Sequence, residues 1–235
     1  MLTLITGAGA KGQVGEAVAR ALAARGDEVL IVARSESDAA ARAAEMAAEG
    51  HNVHGYGCDL ASDSDVDRLA ARIHEEHGDR LDALVNLAGG FALSGPLAES
   101  DPALLARMFE INVRTAYLTT RAFIPSLRVA LGSVVYFASD AVLEGSRVTG
   151  IAAYLSAKSA VVALMRSVAD EAAGDGVRAN ALAPGAIRTT ANVADMGDQM
   201  AYVEREEVGA AVAWLCSPDS AAVTGQVIRL RPVTR

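Results

Sequence analysis

Thr6-Gly7-Ala8-Gly9-Ala10-Lys11-Gly12-Gln13-Val14-Gly15 is the stretch on which the fold turns. It follows the β-branched and leucine run Leu2–Thr6 and leads into an alanine-rich helical pattern, Gly15–Arg25. Gly7, Gly9 and Gly12 satisfy G-x-G-x-x-G in the strand–turn–helix setting that gives the motif meaning. Glycine permits positive φ and close backbone approach, and a helix N-terminus offers free N–H groups, so such a turn suits a diphosphate. No Gly-Lys-Ser/Thr follows, which disfavours a nucleotide-hydrolysing P-loop.

Outward from this turn, short apolar runs alternate with helical ones. The pattern predicts strands at Leu2–Thr6, Glu28–Ala33, Asn52–Tyr56, Asp82–Asn86, Ser133–Ala138, Val177–Leu182 and Gln226–Leu230. Helices are expected at Gly15–Arg25, Ser37–Glu49, Asp63–His77, Asp101–Leu127, Ala152–Ala173 and Glu206–Cys216, with Asp101-Pro102 as N-cap and first helical residue. Seven strands separated by helices imply a doubly wound α/β architecture, with a mostly parallel sheet covered on both faces. No linker interrupts residues 1–235, so one domain is expected. Ligands of such sheets bind beyond the carboxyl ends of the strands, and the residues that follow each strand carry the chemistry.

Composition narrows the class. Of 235 residues, 51% are hydrophobic but only 4% aromatic, and alanine supplies 49, as expected for closely packed helices. A net charge of −8 argues against a nucleic-acid partner, which requires a basic surface. No apolar run approaches the roughly 18 residues that cross a bilayer, and the N-terminus lacks a basic signal-peptide region. Two distant cysteines, Cys58 and Cys216, suggest a reducing compartment, so a cytoplasmic protein is expected. His51-xx-His54 and His74-xx-His77 lack a third ligand at suitable sequence spacing, and no metal site is expected. Glu204, Glu206 and Glu207 read as a helix N-terminus.

Of the 21 basic residues only Lys11 and Lys158 are lysine. Lys11 lies in the glycine turn. The second expected strand ends Val32-Ala33-Arg34-Ser35, with no carboxylate at its tip to take a ribose 2′-hydroxyl. Arg34, Ser35 and Lys11 suit a 2′-phosphate instead, favouring NADP over NAD. Lys158 lies four residues after Tyr154 and therefore on the same helix face. Ser139 stands at the end of the Ser133–Ala138 strand. A phenol ordinarily titrates near about 10. A cation about 6 Å away, at an effective dielectric of about 20, favours phenolate by about 3 kcal/mol and brings it towards the range useful for acid–base catalysis. A neighbouring serine can hydrogen-bond a carbonyl on which negative charge develops.

These residues together resemble the short-chain dehydrogenase/reductase family over essentially the whole chain, including members similar to 3-oxoacyl-thioester reductases. The glycine turn, with Gly7, Gly9, Gly12, Val14 and Gly15, is similar to the family's phosphate loop. Asp59 and Leu60 match its adenine-binding segment, and Asn86-Leu87-Ala88-Gly89 its N-x-A-G. Asn112, Ser139, Tyr154 and Lys158 match its catalytic tetrad. Pro184-Gly185-Ala186-Ile187-Arg188-Thr189 is similar to the segment that contacts the nicotinamide carboxamide, and Thr224-Gly225-Gln226 to the motif before the last strand. The resemblance implies a Rossmann fold and hydride exchange between NAD(P) and a small carbonyl or alcohol substrate. It also implies Tyr154 as general acid/base and a homodimer or homotetramer. Alternatives are a dedicated 3-oxoacyl-thioester reductase and a cofactor-binding regulatory protein without turnover.

The chain departs from the family in four places. The turn has one extra residue between Gly7 and Gly12 and another between Gly12 and Gly15. Extra length falls in Leu143-Glu144-Gly145-Ser146-Arg147, with Ser146 a weaker candidate for the serine role. Sixteen residues separate Thr189 from Glu206, fewer than in many relatives, so an open site or small substrate is expected. Arg229-Leu230-Arg231-Pro232 replaces the usual aspartate-glycine-glycine tail.

Overall fold

The computed structural model describes residues 1–146 and 148–232. Seven parallel strands form one sheet in the order β3-β2-β1-β4-β5-β6-β7. They are β1 (Leu2–Thr6), β2 (Glu28–Ala33), β3 (Val53–Gly57), β4 (Ala83–Asn86), β5 (Ser133–Phe137), β6 (Arg178–Pro184) and β7 (Val227–Leu230). Each expected strand is present within two residues at either end. The order reverses between β1 and β4, which pair side by side (Leu4 with Leu84, Ile5 with Val85), and places the switch point beside the glycine turn.

The helices are α1 (Val14–Ala24), α2 (Glu36–Ala48), α3 (Asp63–His77), α4 (Pro102–Phe109), α5 (Thr115–Ala130), α6 (Ala152–Ala172), α7 (Thr190–Met196) and α8 (Arg205–Leu215). Six of them cover the two faces of the sheet, while Met108 of α4 packs in a small cluster with Ala153 and Ala157 of α6. On one face Val66, Leu69 and Ile73 of α3, Phe123 and Leu127 of α5, and Val161, Met165 and Ala169 of α6 pack on Leu4, Leu30, Val134 and Tyr136. On the other, Val18 and Leu22 of α1, Met46 of α2 and Val208, Val212 and Leu215 of α8 pack on Ile5, Ile31, Val85 and Val135. Alternate residues of each strand thus face opposite layers, the burial expected of a parallel sheet covered on both sides.

Asp101 caps α4, its carboxylate accepting the Ala103 N–H at 2.9 Å, and Pro102 is the first helical residue. The expected helix Asp101–Leu127 is one helical stretch broken by a π-helical turn at Glu110–Arg114. At the start of α8 the Glu204 N–H donates to Glu207 Oε2 at 3.0 Å, which gives that acidic cluster its capping role. The seven-residue α7 was not expected from the sequence. Thr189 caps it by accepting the Asn192 N–H, and Tyr202 donates its hydroxyl to Gly197 O at 2.7 Å, with Asn192 O 3.1 Å away.

Candidate active site

The strand ends converge on the glycine turn. The Gly7 and Ala8 N–H groups both donate to Val32 O, locking the turn to β2. Thr6 Oγ1 donates to Val85 O and accepts the N–H groups of Leu87 and Ala88, binding the turn to the N-x-A-G segment. Gly7 has φ +76°, and a Cβ there would lie 2.9 Å from Ala88 Cα, so both its conformation and its neighbour require glycine. Gly9 lies against Ala33, and Val14 and Gly15 open α1. The lengthened loop has its own anchors. The Gly12 N–H donates to Glu16 Oε2 at 2.6 Å, and Gly12 O accepts the Thr190 N–H at 3.1 Å. Glu16 is buried beside Arg20 and Arg42; burial pulls its carboxyl upward, but Gly12 and the two guanidinium groups hold it below the ordinary value.

Beyond β2, Arg34 is exposed, and Ser35 caps α2 by accepting the Asp38 N–H. Lys11 is 73% exposed and 3.7 Å from Glu45, an ion pair that solvent screens and a phosphate can displace. Past β3, Asp59 is exposed, with Oδ1 accepting the Ala61 N–H, and Leu60 is buried. Cys58 and Cys216 are free and buried, and burial pushes their thiols up to about 11 and about 12, so neither is a ready nucleophile.

Asn86, at the end of β4, is buried and structural. Its Oδ1 accepts from Thr119 at 2.6 Å and its Nδ2 donates to Thr120 at 3.0 Å, tying β4 to α5. Asn112 sits in the π-helical turn, 2% exposed. Its Nδ2 donates to Met108 O and Gly90 O, and its Oδ1 accepts the Gly90 N–H at 3.2 Å. A Cβ at Gly89 would lie 2.5 Å from Asn112 Oδ1 and 3.4 Å from Lys158 Nζ. Glycine is therefore what admits the asparagine and the lysine to the same corner.

Lys158 is 7% exposed and donates to Phe137 O at 2.8 Å. Burial lowers its ammonium from 10.5 to about 8. Nζ lies 5.9 Å from the Tyr154 ring centroid. Burial raises the Tyr154 phenol, while a hydrogen bond with Ser139 works against the rise. The depression expected from a lysine one turn away is therefore not what the protein alone shows. Burial is the dominant influence on both groups, because a low-dielectric corner disfavours each charge. Ser139 caps the short 3-10 turn Asp140–Val142 and faces Tyr154, whereas Ser146 points to Asp140. Phe91, 60% exposed, meets the Tyr154 ring edge-on with centroids 4.9 Å apart, and sequence reasoning missed it.

After β6, the Gly185 N–H donates to Leu230 O, Ile187 bridges to Val203, and Thr189 is buried as the α7 cap. The inserted segment and the altered tail meet. Asp140 accepts from Arg231 at 2.9 Å and pairs with Arg229 at 2.8 Å, and Arg229 also donates to Glu144 O. Burial draws the Asp140 carboxyl upward, but Arg231, Ser146 and Arg229 hold it below the ordinary value. The residue next to Ser139 is thus fastened by the tail that departs from the family. Arg147 lies outside the described residues.

A family model described as enoyl-(acyl carrier protein) reductase matches residues 7–230. Dehydrogenase/reductase SDR family member 4 of Oryctolagus cuniculus is 31% identical over 228 residues, covering 92% of this chain and 86% of that protein. The chain belongs to the short-chain dehydrogenase/reductase family. Among solved structures it is similar to a gluconate 5-dehydrogenase from Burkholderia cenocepacia in complex with NADP and tartrate. That match has a TM-score of 0.90 and 27% identity over 98% of this chain and 93% of that one. An NAD+-bound xylitol dehydrogenase matches with a TM-score of 0.87 and 25% identity over 99% and 98%. This short-chain dehydrogenase/reductase is an oxidoreductase of CH–OH and C=O groups, in a family whose members bind NAD(P). Among its described residues, no helix is long and apolar enough to cross a membrane.

Proposed function

We propose that this chain reduces a small carbonyl compound, or oxidises the matching alcohol, with NADP(H) preferred and Tyr154 as the proton donor or acceptor. The observation that carries this is the buried ammonium of Lys158. It has three protons to donate, Phe137 O accepts one, and the ring of Tyr154 lies beside it. The remaining donors fit ribose hydroxyls. The glycine-lined approach at Gly7 and the exposed Arg34 fit a diphosphate and a 2′-phosphate respectively. Gly7, Gly9, Lys11, Gly12, Val14 and Gly15 would cradle the phosphates, with Arg34 and Ser35 at the ribose. Asp59 and Leu60 would take the adenine, Asn86, Ala88 and Gly89 the central wall, and Pro184, Gly185, Ile187 and Thr189 the carboxamide.

A bound nicotinamide supplies or accepts the hydride. The protein's own groups handle the proton. In reduction the Ser139 hydroxyl donates to the carbonyl oxygen, and Tyr154 passes its phenolic proton to the same atom as charge develops there. Burial keeps Tyr154 protonated, the form that reduction needs. Lys158, drawn to about 8, compensates the phenolate formed in the step. Asn112 holds the π-helical turn against Gly90 and positions a water between Lys158 and solvent. Phe91 offers the substrate an apolar wall.

The family resemblance carries with it a homodimer or homotetramer, and the exposed Phe109 and Tyr117 give α4 and α5 an apolar face suited to it. Two unpaired buried thiols support a cytoplasmic setting. The test is NADPH oxidation with a panel of ketones, β-ketothioesters and quinones, alongside Tyr154→Phe. Turnover with at least one class, reduced about 10³-fold by the variant with cofactor affinity retained, supports the assignment. Undiminished turnover in Tyr154→Phe refutes Tyr154 as the acid.

A further inference from the structure

We propose that Glu28, His54 and His77 form a binding site for a first-row divalent cation, with a ligand set that suits Zn2+, at the sheet edge away from the catalytic residues. The three ligand atoms lie within 4.8 Å of one another. Glu28 Oε1 is 3.1 Å from His54 Nε2 and 3.0 Å from His77 Nδ1. Bonds of about 2.0–2.1 Å in a tetrahedral shell separate ligand atoms by about 3.4 Å, so an ion needs only a few tenths of an ångström of opening.

The ligands stand on regular elements. Glu28 begins β2, His54 lies on the adjoining edge strand β3, and His77 ends α3. Leu30 is the register partner of His54, so Glu28 is its diagonal neighbour on the same sheet face. Neither histidine pair of the sequence acts as a pair; each contributes one member. The third ligand comes from a strand more than twenty residues away, which is why sequence spacing concealed the site.

Hydrogen-bond counting supplies a second, independent observation. Tyr56 Oη lies 2.6 Å from Glu76 Oε2 and 2.7 Å from His77 Nε2. The phenol has one proton and the carboxylate takes it, so His77 Nε2 carries its own proton and donates to Tyr56. With Nε2 held by Tyr56, it is Nδ1 that points at Glu28 Oε1, in the position a metal ligand would take. His54 Nε2 lies 3.1 Å from both Glu28 Oε1 and Asn52 Oδ1, so its ligand atom is aimed at the same carboxylate oxygen. A cation would take the place of the protons between these three converging ligand atoms. A histidine whose second nitrogen is fixed by a hydrogen-bonded partner is the usual support of a metal ligand. His77 is 9% exposed and His54 42%, giving one buried anchor and one open approach. Three protein ligands leave a position for water, and the ion would clamp the edge strand to β2 and α3.

The test uses the full chain without an affinity tag, treated with chelator and titrated with Zn2+ by calorimetry and with Co2+ by visible absorption. One ion per chain is expected, with the intense d–d bands of tetrahedral Co2+. Thermal stability should rise by about 5–10 °C at a free Zn2+ concentration about 100 times Kd. Glu28→Gln and His54→Ala should each abolish saturable binding, and Tyr56→Phe should weaken it about 10- to 100-fold. His51→Ala and His74→Ala should leave it intact. His54 lies on an exposed edge, so its removal leaves the fold in place. Absence of saturable binding overturns the proposal, as does binding that survives Glu28→Gln and His54→Ala. Binding lost with His74→Ala, which would shift it to the His74–Asp79 pair, overturns it too.

Discussion

The two ends of the cofactor cleft treat charge in opposite ways. At the catalytic end Lys158 is enclosed, it donates to the neutral carbonyl of Phe137, and its ammonium is drawn down to about 8. At the glycine-turn end the cations are already matched. Lys11 faces Glu45, Arg42 pairs with Glu16 and Glu45, and Arg20 pairs with Glu16 and Glu49. Arg34 is the exposed exception: among the described residues it makes no ion pair. The contrast separates two uses of a cation. Where a proton moves, a charge in low dielectric acts strongly on its neighbour. At the glycine turn the exposed Lys11 holds a carboxylate through an ion pair that solvent screens, so under the proposed function it can exchange that partner for a phosphate.

Lys158→Met breaks the contrast most severely. Activity should fall about as far as in Tyr154→Phe, with a separate signature in stability. The folded pKa of about 8 lies below the ordinary 10.5, so between those values the unfolded chain binds more protons. Stability from this group therefore rises with pH across that window, and its penalty is complete below about 8. Subtracting the pH–stability curve of Lys158→Met from that of the unaltered chain should show a rise of up to about 3 kcal/mol between those limits. A flat difference would mean that Lys158 is solvated.

At the other end effects should be smaller and selective. Arg34→Ala should weaken NADPH binding about 10-fold, the scale of one charge-assisted hydrogen bond, while NADH binding changes less than about 2-fold. Equal losses for both cofactors would remove Arg34 from the 2′-phosphate. Lys11→Ala should cost only about 2-fold for NADPH, because its exposed ammonium is screened and shared with Glu45. Raising salt should shrink that difference further; a loss as large as that of Arg34→Ala would make the lysine a primary contact.

What the sequence made legible follows the same division between local and distant causes. Strands such as Leu2–Thr6 and Glu28–Ala33 were readable because apolar runs buried on both faces leave a direct trace in composition. Tyr154 and Lys158 were readable because one helical turn relates them. Other features depend on partners far along the chain. The π-helical turn is held where Asn112 meets Gly90, and α7 where the Thr190 N–H reaches Gly12 O. The clasp between Asp140 and Arg231 spans 91 positions. The tail and the insertion looked like two separate departures from the family; in three dimensions each is the counterpart of the other. The lowered tyrosine pKa expected from the Tyr154–Lys158 spacing failed for a related reason, since spacing carries no information about how deeply both groups are desolvated.

The widened turn at Glu110–Arg114 takes in one residue more than an α-helical turn would, and the surplus is absorbed within the turn itself. Asn86 depends on Thr119 and Thr120 of α5, while Asn112, inside the turn, depends on Met108 of α4. Removing one residue here would leave an ordinary α-helix with the sheet anchor in place, and the cost would fall on the corner that Asn112 occupies.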